Sequence, residues 1–375
     1  MKGIKMEIKK LVRKSVLNFT PYIAGRPPEE IKRRFKIQTI EKLASNENPL
    51  GPSNRALAAL EDNLKRIYMY PDSDGFYLKK ALAKRLGVKR DNIILGSGTD
   101  ELIEIIAKTF LNPEDEIIVS KHAFIRYKMA GDLMGCRVAV VPMKNFTHDL
   151  IAMKRRITKR TKIIFIANPN NPTGTYINQG ELMEFFRNLP ERIITVIDEA
   201  YYEYVERSDF PETVPLVKRG KSVIVLRTFS KIWALAGLRI GYGIARNEII
   251  SFMERIRPPF NVTSLSQAAA VASLTDRRQV SRSQQMVKKE RKYLEQSFKK
   301  LNLEYIPSVA NLILLKVGNG KRIFNKLLRE GIIVRAMDEY DLPEYIRVSV
   351  GLPIQNRRFI GKLRKILGNR RNSYK

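Results

Sequence analysis

Ser222-Val223-Ile224-Val225-Leu226-Arg227-Thr228-Phe229-Ser230-Lys231 decides the fold of this chain. An apolar, β-branched run of strand length ends in polar residues, the pattern of a buried strand that delivers functional groups at its carboxyl end. Two earlier runs share the design. Ile163-Ile164-Phe165-Ile166-Ala167-Asn168 enters Pro169-Asn170-Asn171-Pro172-Thr173-Gly174, and Ile193-Ile194-Thr195-Val196-Ile197 ends in Asp198-Glu199-Ala200-Tyr201. The Pro, Asn and Gly cluster after the first run reads as a rigid turn. Strand-like runs alternate with helical patterns from about Ala44 to Ile244. That alternation predicts an α/β fold, a mostly parallel sheet with crossover helices on its faces. In open sheets of this kind ligands bind outside the carboxyl ends of the strands. Asn168, Asp198 with Tyr201, and Lys231 are therefore expected along one edge.

Lys231 has neighbours that a solvated lysine does not need. Ser230 precedes it, and Leu235-Ala236-Gly237-Leu238 leads to Arg239. A lysine that forms a Schiff base with an aldehyde cofactor needs a hydroxyl and a cation nearby to hold a phosphate, and a backbone that permits close approach. Singly, each residue has an ordinary explanation: Asp198 as a helix cap, Asn168 as a turn former, Lys231 as a surface lysine. Their coincidence at matching strand ends favours chemistry. Pyridoxal phosphate accounts for the set. A buried Asp198 would keep the pyridine nitrogen protonated by favouring the charged form, while Asn168 and Tyr201 would meet the ring 3-hydroxyl. Asn92-Ile93-Ile94-Leu95-Gly96-Ser97-Gly98-Thr99 reads as strand, glycine turn and helix start, a geometry that holds an anion on a helix N-terminus.

Further motifs extend the pattern: Leu43-Ala44-Ser45-Asn46-Glu47-Asn48-Pro49-Leu50-Gly51-Pro52, Tyr70-Pro71-Asp72, and Leu342-Pro343-Glu344-Tyr345-Ile346-Arg347-Val348-Ser349-Val350-Gly351. With the Asn-Pro-Asn-Asn-Pro-Thr-Gly run and Ser230-Lys231, they closely resemble the histidinol-phosphate aminotransferases, which are fold-type I pyridoxal-phosphate enzymes. The resemblance runs from Pro21-Tyr22 to Gly351. It implies that Phe124 stacks on the cofactor ring, where many members have tyrosine. It implies that Ser230, Arg239 and the amides of Gly98 and Thr99 cradle the cofactor phosphate. Tyr70 matches a tyrosine that reaches the phosphate of the other subunit, which implies a homodimer with shared active sites. Arg347 matches the arginine for the substrate α-carboxylate, Arg335 a second arginine for the distal anion, and Tyr22 a tyrosine at that same end. A cation inside an apolar strand such as Tyr345–Val350 is unfavourable unless it meets an anion, and guanidinium pairs with carboxylate bidentately.

Composition bounds the alternatives. Apolar residues make up 44% and charged residues 29%, as in globular proteins. No apolar run has the length of a membrane span, and Met1-Lys2-Gly3-Ile4-Lys5 opens no signal-peptide core. The single cysteine, Cys136, excludes an internal disulfide framework and fits a reducing cytoplasm. His122 and His148 are the only histidines and lie far from any cysteine cluster, so no metal site is expected. Lys and Arg number 69 against 38 acidic residues, a net charge of +31. Such a surface attracts polyanions. The basic clusters are scattered, however, and carry no recognised motif or interleaved aromatics, so small anionic substrates rather than nucleic acid are the expected partners.

Helices are expected over Phe76–Leu86 and Glu101–Phe110, and strands over Glu116–Val119 and Arg137–Val141. After Pro258-Pro259 the pattern changes. One long helical stretch is expected from about Leu265 to Leu301, then strands at Asn311–Val317 and Tyr345–Val350. Residues 44–260 are read as a large cofactor domain, and residues 1–43 with 261–375 as a smaller α/β domain. The expected reaction moves an amino group between histidinol phosphate or imidazole-acetol phosphate and glutamate or 2-oxoglutarate, with Lys231 moving the Cα proton, in ping-pong order. Three rivals stand beside it: an aromatic amino-acid aminotransferase and a threonine-phosphate decarboxylase on the same scaffold, and a basic scaffold protein without chemistry. The last predicts decay at Lys231, Asp198 or Arg239, and all three are present.

Overall fold

The computed structural model describes residues 8–17, 19, 21 and 27–371. At its centre is a seven-stranded sheet of β1 (Ile93–Gly96), β2 (Glu116–Ser120), β3 (Arg137–Val141), β4 (Thr161–Ala167), β5 (Ile194–Asp198), β6 (Val223–Thr228) and β7 (Gly241–Ala245). The order across the sheet is β1-β7-β6-β5-β4-β2-β3. All neighbours run parallel except β7, which is antiparallel to both β1 and β6. β4 to β6 are buried along almost their whole length because helices cover both faces. This is the α/β architecture that the alternation of runs predicts.

β7 was not among the expected strands, because Gly241-Tyr242-Gly243 lacks the β-branched signature. Its glycines are there for contact. A Cβ on Gly241 would come within 2.9 Å of the Thr99 amide nitrogen, and one on Gly243 within 3.1 Å of Ile94. The strand can therefore lie tightly against β1 and bring Arg239, just before it, to the start of the helix Gly98–Phe110.

The expected stretch from Leu265 to Leu301 is two helices, Ser264–Leu274 and Arg277–Lys300. Asp276 separates them: its carboxylate accepts the Gln279 N–H at 3.1 Å, a side-chain N-cap. The first helix packs on Asn54–Leu64, the second on the C-terminal helix Pro353–Arg371. A second sheet is antiparallel, with Arg335–Ala336, Tyr345–Ser349, Leu312–Lys316 and Tyr305–Ile306 side by side. Glu41–Lys42 pairs with Ile332–Ile333, which ties the N-terminal segment to this part of the chain. Among the described residues no helix is long and apolar enough to cross a membrane.

One buried histidine fixes the ends of two central strands. His148 Nε2–H donates to the Ala167 carbonyl at 2.9 Å, and Nδ1 accepts from the Ser120 hydroxyl at 2.7 Å. A carbonyl can only accept, so the partners set the tautomer. Burial pushes the imidazole down to about 4, so it bridges β2 and β4 as a neutral group.

Candidate active site

β4, β5 and β6 end at one cavity of about 470 Å³, and Lys231 is among the residues that line it. Lys231 Nζ donates to the Ser45 carbonyl at 3.1 Å and stands 5.6 Å from the centroid of the Tyr201 ring. Burial, and then the cations of Arg347 and Arg239, hold its amine down at about 8, against the opposing pull of Glu47 and Asp198. A lysine so placed has an accessible neutral form, which a nucleophile or base requires.

Asp198 closes β5 and is buried. Its Oδ2 accepts from the Tyr127 hydroxyl at 2.8 Å and its Oδ1 from the Ala200 N–H at 3.0 Å. Burial pushes the carboxyl up to about 6, while both hydrogen bonds and Lys231 pull it back toward ionisation. Tyr127 was missed in the sequence, although the signal was available: it lies three residues after Phe124, on the same side of a helical turn. Its ring stacks on Phe165 at 4.9 Å and meets Phe124 edge-on at 5.7 Å. Phe124 and Tyr201 both line the cavity, as expected.

Behind Asp198 is a second unforeseen pair. Glu199 and Arg227 are buried away from the cavity, and Arg227 Nε donates to Glu199 Oε2 at 2.8 Å. Thr213 donates to the other carboxylate oxygen at 2.7 Å, and the Tyr202 ring lies 3.7 Å from the guanidinium. The pair keeps the carboxylate next to Asp198 neutralised.

The residues expected to cradle a phosphate lie close together. Thr99, Ser230 and Arg239 line the cavity. Gly98 has φ +78°, and the place where its Cβ would stand is 2.5 Å from Arg239 Nη2. Only a glycine lets the guanidinium approach the start of the helix Gly98–Phe110. Amides, a hydroxyl, a guanidinium and the positive end of a helix dipole suit a phosphate dianion. The residues therefore fit pyridoxal phosphate: the cradle for its phosphate, Asp198 for its ring nitrogen, Lys231 for its aldehyde.

Two asparagines exchange places relative to expectation. Asn168 is fully buried, its Nδ2 donating to the Ile177 carbonyl at 3.1 Å and its Oδ1 accepting from the Ile177 N–H at 2.9 Å, and it is not among the residues that line the cavity. It closes the Asn-Pro loop instead. Asn171, in the second Asn-Pro pair, lines the cavity and accepts from Arg347 Nη1 at 2.7 Å. Asn46, in the Ser45-Asn46-Glu47-Asn48-Pro49 motif, joins the site without a local signal that marks it. Its Nδ2 donates to the Tyr201 hydroxyl at 2.8 Å, and its Oδ1 accepts from Ser349 at 2.9 Å.

Arg347 and Arg335 both line the cavity and stand directly opposite each other on neighbouring antiparallel strands. Cations in that register repel unless anions lie near. Arg347 donates to the Ala44 carbonyl as well as to Asn171, and its buried Nε has no partner among the described residues. Arg335 Nη2 donates to Glu339 at 2.6 Å. Tyr70 does not line the cavity: it is 83% exposed and stacks on Phe260 at 4.8 Å. Tyr22 lies outside the described residues.

Residues 38–363 match the family of class I and II aminotransferases. The chain is 46% identical over 357 residues to a histidinol-phosphate aminotransferase of Moorella thermoacetica, covering 95% of this chain and 92% of that one. It is 42% identical over 358 residues to a histidinol-phosphate aminotransferase of Caldicellulosiruptor saccharolyticus, covering 95% and 100%. Among solved structures it superposes, with a TM-score of 0.88 and 25% identity, on the histidinol-phosphate aminotransferase of Sinorhizobium meliloti in complex with pyridoxal-5'-phosphate, covering 96% and 98% of the two chains.

Proposed function

The chain belongs to the family of class I and II aminotransferases, and on that premise we propose that it moves an amino group between histidinol phosphate or imidazole-acetol phosphate and glutamate or 2-oxoglutarate, with pyridoxal phosphate as cofactor. The observation that carries the substrate choice is the cross-strand pair of Arg335 and Arg347 in the cavity of Lys231. Histidinol phosphate brings one anionic group, its phosphate, and glutamate two carboxylates, and a pair of guanidiniums can meet either set. Pyridoxal phosphate supplies an aldehyde for the substrate amine and a ring that withdraws electrons from the Cα bond. The chain's own residues do the rest. Ser230, Arg239, Gly98 and Thr99 hold the phosphate, Phe124 packs on the ring, and Tyr201 with Asn171 meets the ring hydroxyl in the place first assigned to Asn168. Asp198 holds the proton at the ring nitrogen. Lys231 Nζ takes up and returns the substrate Cα proton. Arg347 orients the α-carboxylate of an amino-acid donor, and Arg335 meets the distal phosphate or γ-carboxylate.

A half-reaction with a panel of amine donors, followed through the cofactor's spectrum, tests this reading. A charge-assisted bond at Arg335 is worth roughly 1.5–3 kcal/mol, or about tenfold to a hundredfold in the specificity constant. Histidinol phosphate should outperform histidinol by that factor, and Arg335→Ala should shrink the gap. Phenylalanine or tyrosine reacting better than histidinol phosphate would establish the aromatic aminotransferase instead. Carbon dioxide released from threonine phosphate would establish the decarboxylase.

The same reading makes the enzyme a homodimer with shared sites. Tyr70 stands on an exposed apolar stretch with Ile67, Tyr68 and Met69, and would reach the cofactor phosphate of a second copy. Mixing Tyr70→Ala chains with Lys231→Ala chains should give activity above either parent, because one site of each heterodimer then carries neither lesion. No recovery after verified subunit exchange would count against sharing. A cytoplasmic location, which cell fractionation would check, accords with Cys136 as an unpaired thiol.

A further inference from the structure

Glu339 already sits on the arginine that the proposed substrate needs. Arg335 Nη2 donates to Glu339 Oε2 at 2.6 Å, with the guanidinium 13% and the carboxylate 29% exposed. The bond spans a single turn. Arg335–Ala336 is a short edge strand, and Asp338–Tyr340 folds Glu339 back over it before Asp341 turns the chain at φ +55°. The Tyr340 carbonyl is held by His122 Nδ1, which anchors the turn to the loop after β2.

The charges around Arg335 make this carboxylate consequential. Arg347 is directly opposite in register, and its own hydrogen bonds go to a carbonyl and a side-chain amide, both neutral. With a neutral distal group in the cavity, Glu339 is the counter-charge that keeps the poorly solvated Arg335 satisfied. A phosphomonoester or γ-carboxylate arriving at Arg335 must share the guanidinium with Glu339 or displace it, and two anions on one guanidinium repel.

Glu339 also has somewhere to go. It lines a second cavity of about 430 Å³ that adjoins the first and shares Phe124 and Tyr340 as a common wall. Lys121 and Lys128 line that second cavity together with Asp132 and Asp341. Lys128 is bonded to Asp132 at 2.6 Å, whereas Lys121 is only loosely paired with Asp341, at 4.0 Å. A carboxylate turned away from Arg335 therefore finds a cation on the far side.

We propose that Glu339 is an internal counter-anion that sets substrate specificity. Seated on Arg335, it lets the distal end of the cavity take an uncharged or aromatic group. Turned toward the second cavity, it yields Arg335 to the phosphate or carboxylate of the substrate. The inference rests on the anion-binding role proposed for Arg335, and it makes Glu339 a positioning residue that acts through that arginine. Its presence narrows the preference for phosphorylated over unphosphorylated donors that Arg335 alone would impose.

The test uses Glu339→Gln, Arg335→Ala and the double variant, all loaded with pyridoxal phosphate so that the phosphate cradle is filled. Calorimetric titration with inorganic phosphate should show about tenfold tighter binding in Glu339→Gln, with no difference between Arg335→Ala and the double variant. In kinetics, Glu339→Gln should lower KM for histidinol phosphate and raise it for histidinol, widening the discrimination about tenfold or more, with the change in KM rather than kcat. Unaltered phosphate affinity and discrimination would overturn the proposal. So would an effect of Glu339→Gln that persists without Arg335, since the carboxylate would then act elsewhere. If neither histidinol nor its phosphate reacts, the substrate reading fails by itself, and the phosphate titration still decides whether Glu339 guards Arg335.

Discussion

Lys231→Ala is expected to lower turnover by on the order of 10⁴-fold or more, the combined loss of a covalent attachment point and of the base that moves the Cα proton. The geometry allows no substitute. Lys231 is the lysine of the cavity, held over Tyr201 by the Ser45 carbonyl. The acidic side chains nearest it are Asp198, engaged with Tyr127 and Ala200, and Glu47, engaged with Lys42. Burial and two neighbouring arginines also tune its amine. At about 8, far more of the amine is neutral near neutral pH than in an ordinary lysine. Lys231→Arg should be as inactive as Lys231→Ala, because a guanidinium keeps its proton at any working pH. Borohydride reduction of the cofactor-loaded protein, followed by peptide mapping, should place the pyridoxyl label on Lys231 alone. A label on another lysine, or turnover within tenfold of wild type in either variant, would remove Lys231 from the reaction.

Much of this arrangement is legible in the sequence, and the reason is local. The ends of β4, β5 and β6 announce themselves because a parallel strand buried on both faces is a continuous apolar run, and its first polar residue marks the sheet edge. Asp198 follows directly from that, whereas the first polar residue of β6 is the buried Arg227, and Lys231 is marked instead by its place beside Ser230 just past the strand end. What remained hidden depends on paths and registers that one-dimensional patterns do not carry. Asn168 and Asn171 occupy two equivalent Asn-Pro pairs. Only the route of the loop, which closes Asn168 on Ile177, decides that Asn171 faces the cavity. Glu199 and Arg227 pair because β5 and β6 are neighbours with Asp198 level with Leu226, which places the next residue of each strand together. β7 was invisible because its glycines are chosen for close approach to β1 and Thr99, against strand propensity. Arg239 is legible as the cation that follows Ser230-Lys231, whereas the resemblance to a known family supplied the roles of Arg347 and Arg335. That Arg335 already holds a carboxylate could be read only from the turn that folds Glu339 back.

Asp198→Asn is expected to leave the cofactor attached to Lys231 while turnover falls on the order of 10³-fold, because the charge that keeps the ring nitrogen protonated is gone. The substitution is close to isosteric. It keeps an oxygen for the Ala200 N–H, so the loss reports charge more than shape. The pH dependence separates this role from a structural one. Burial holds the Asp198 carboxyl at about 6 in the cofactor-free protein, above its ordinary value, and the adjacent Glu199 adds to the rise. Tyr127, Ala200 and Lys231 oppose it, and Arg227 neutralises Glu199. A raised carboxyl is ionised above its folded value and becomes neutral as the pH falls through it, so forming the one-proton pair with the ring nitrogen takes up a proton above about pH 6 and uses the proton already on Asp198 below it. Because the wild-type complex keeps on the Asp198–ring nitrogen pair a proton that the Asp198→Asn complex lacks, the affinity of wild type for pyridoxal phosphate, divided by that of the variant, should be level below about pH 6 and fall by about tenfold per pH unit above it. Taking the ratio cancels the titration of the free cofactor. A ratio that stays level from pH 7.5 to 5, or near-normal turnover in Asp198→Asn, would show that the buried carboxylate does not serve the ring nitrogen.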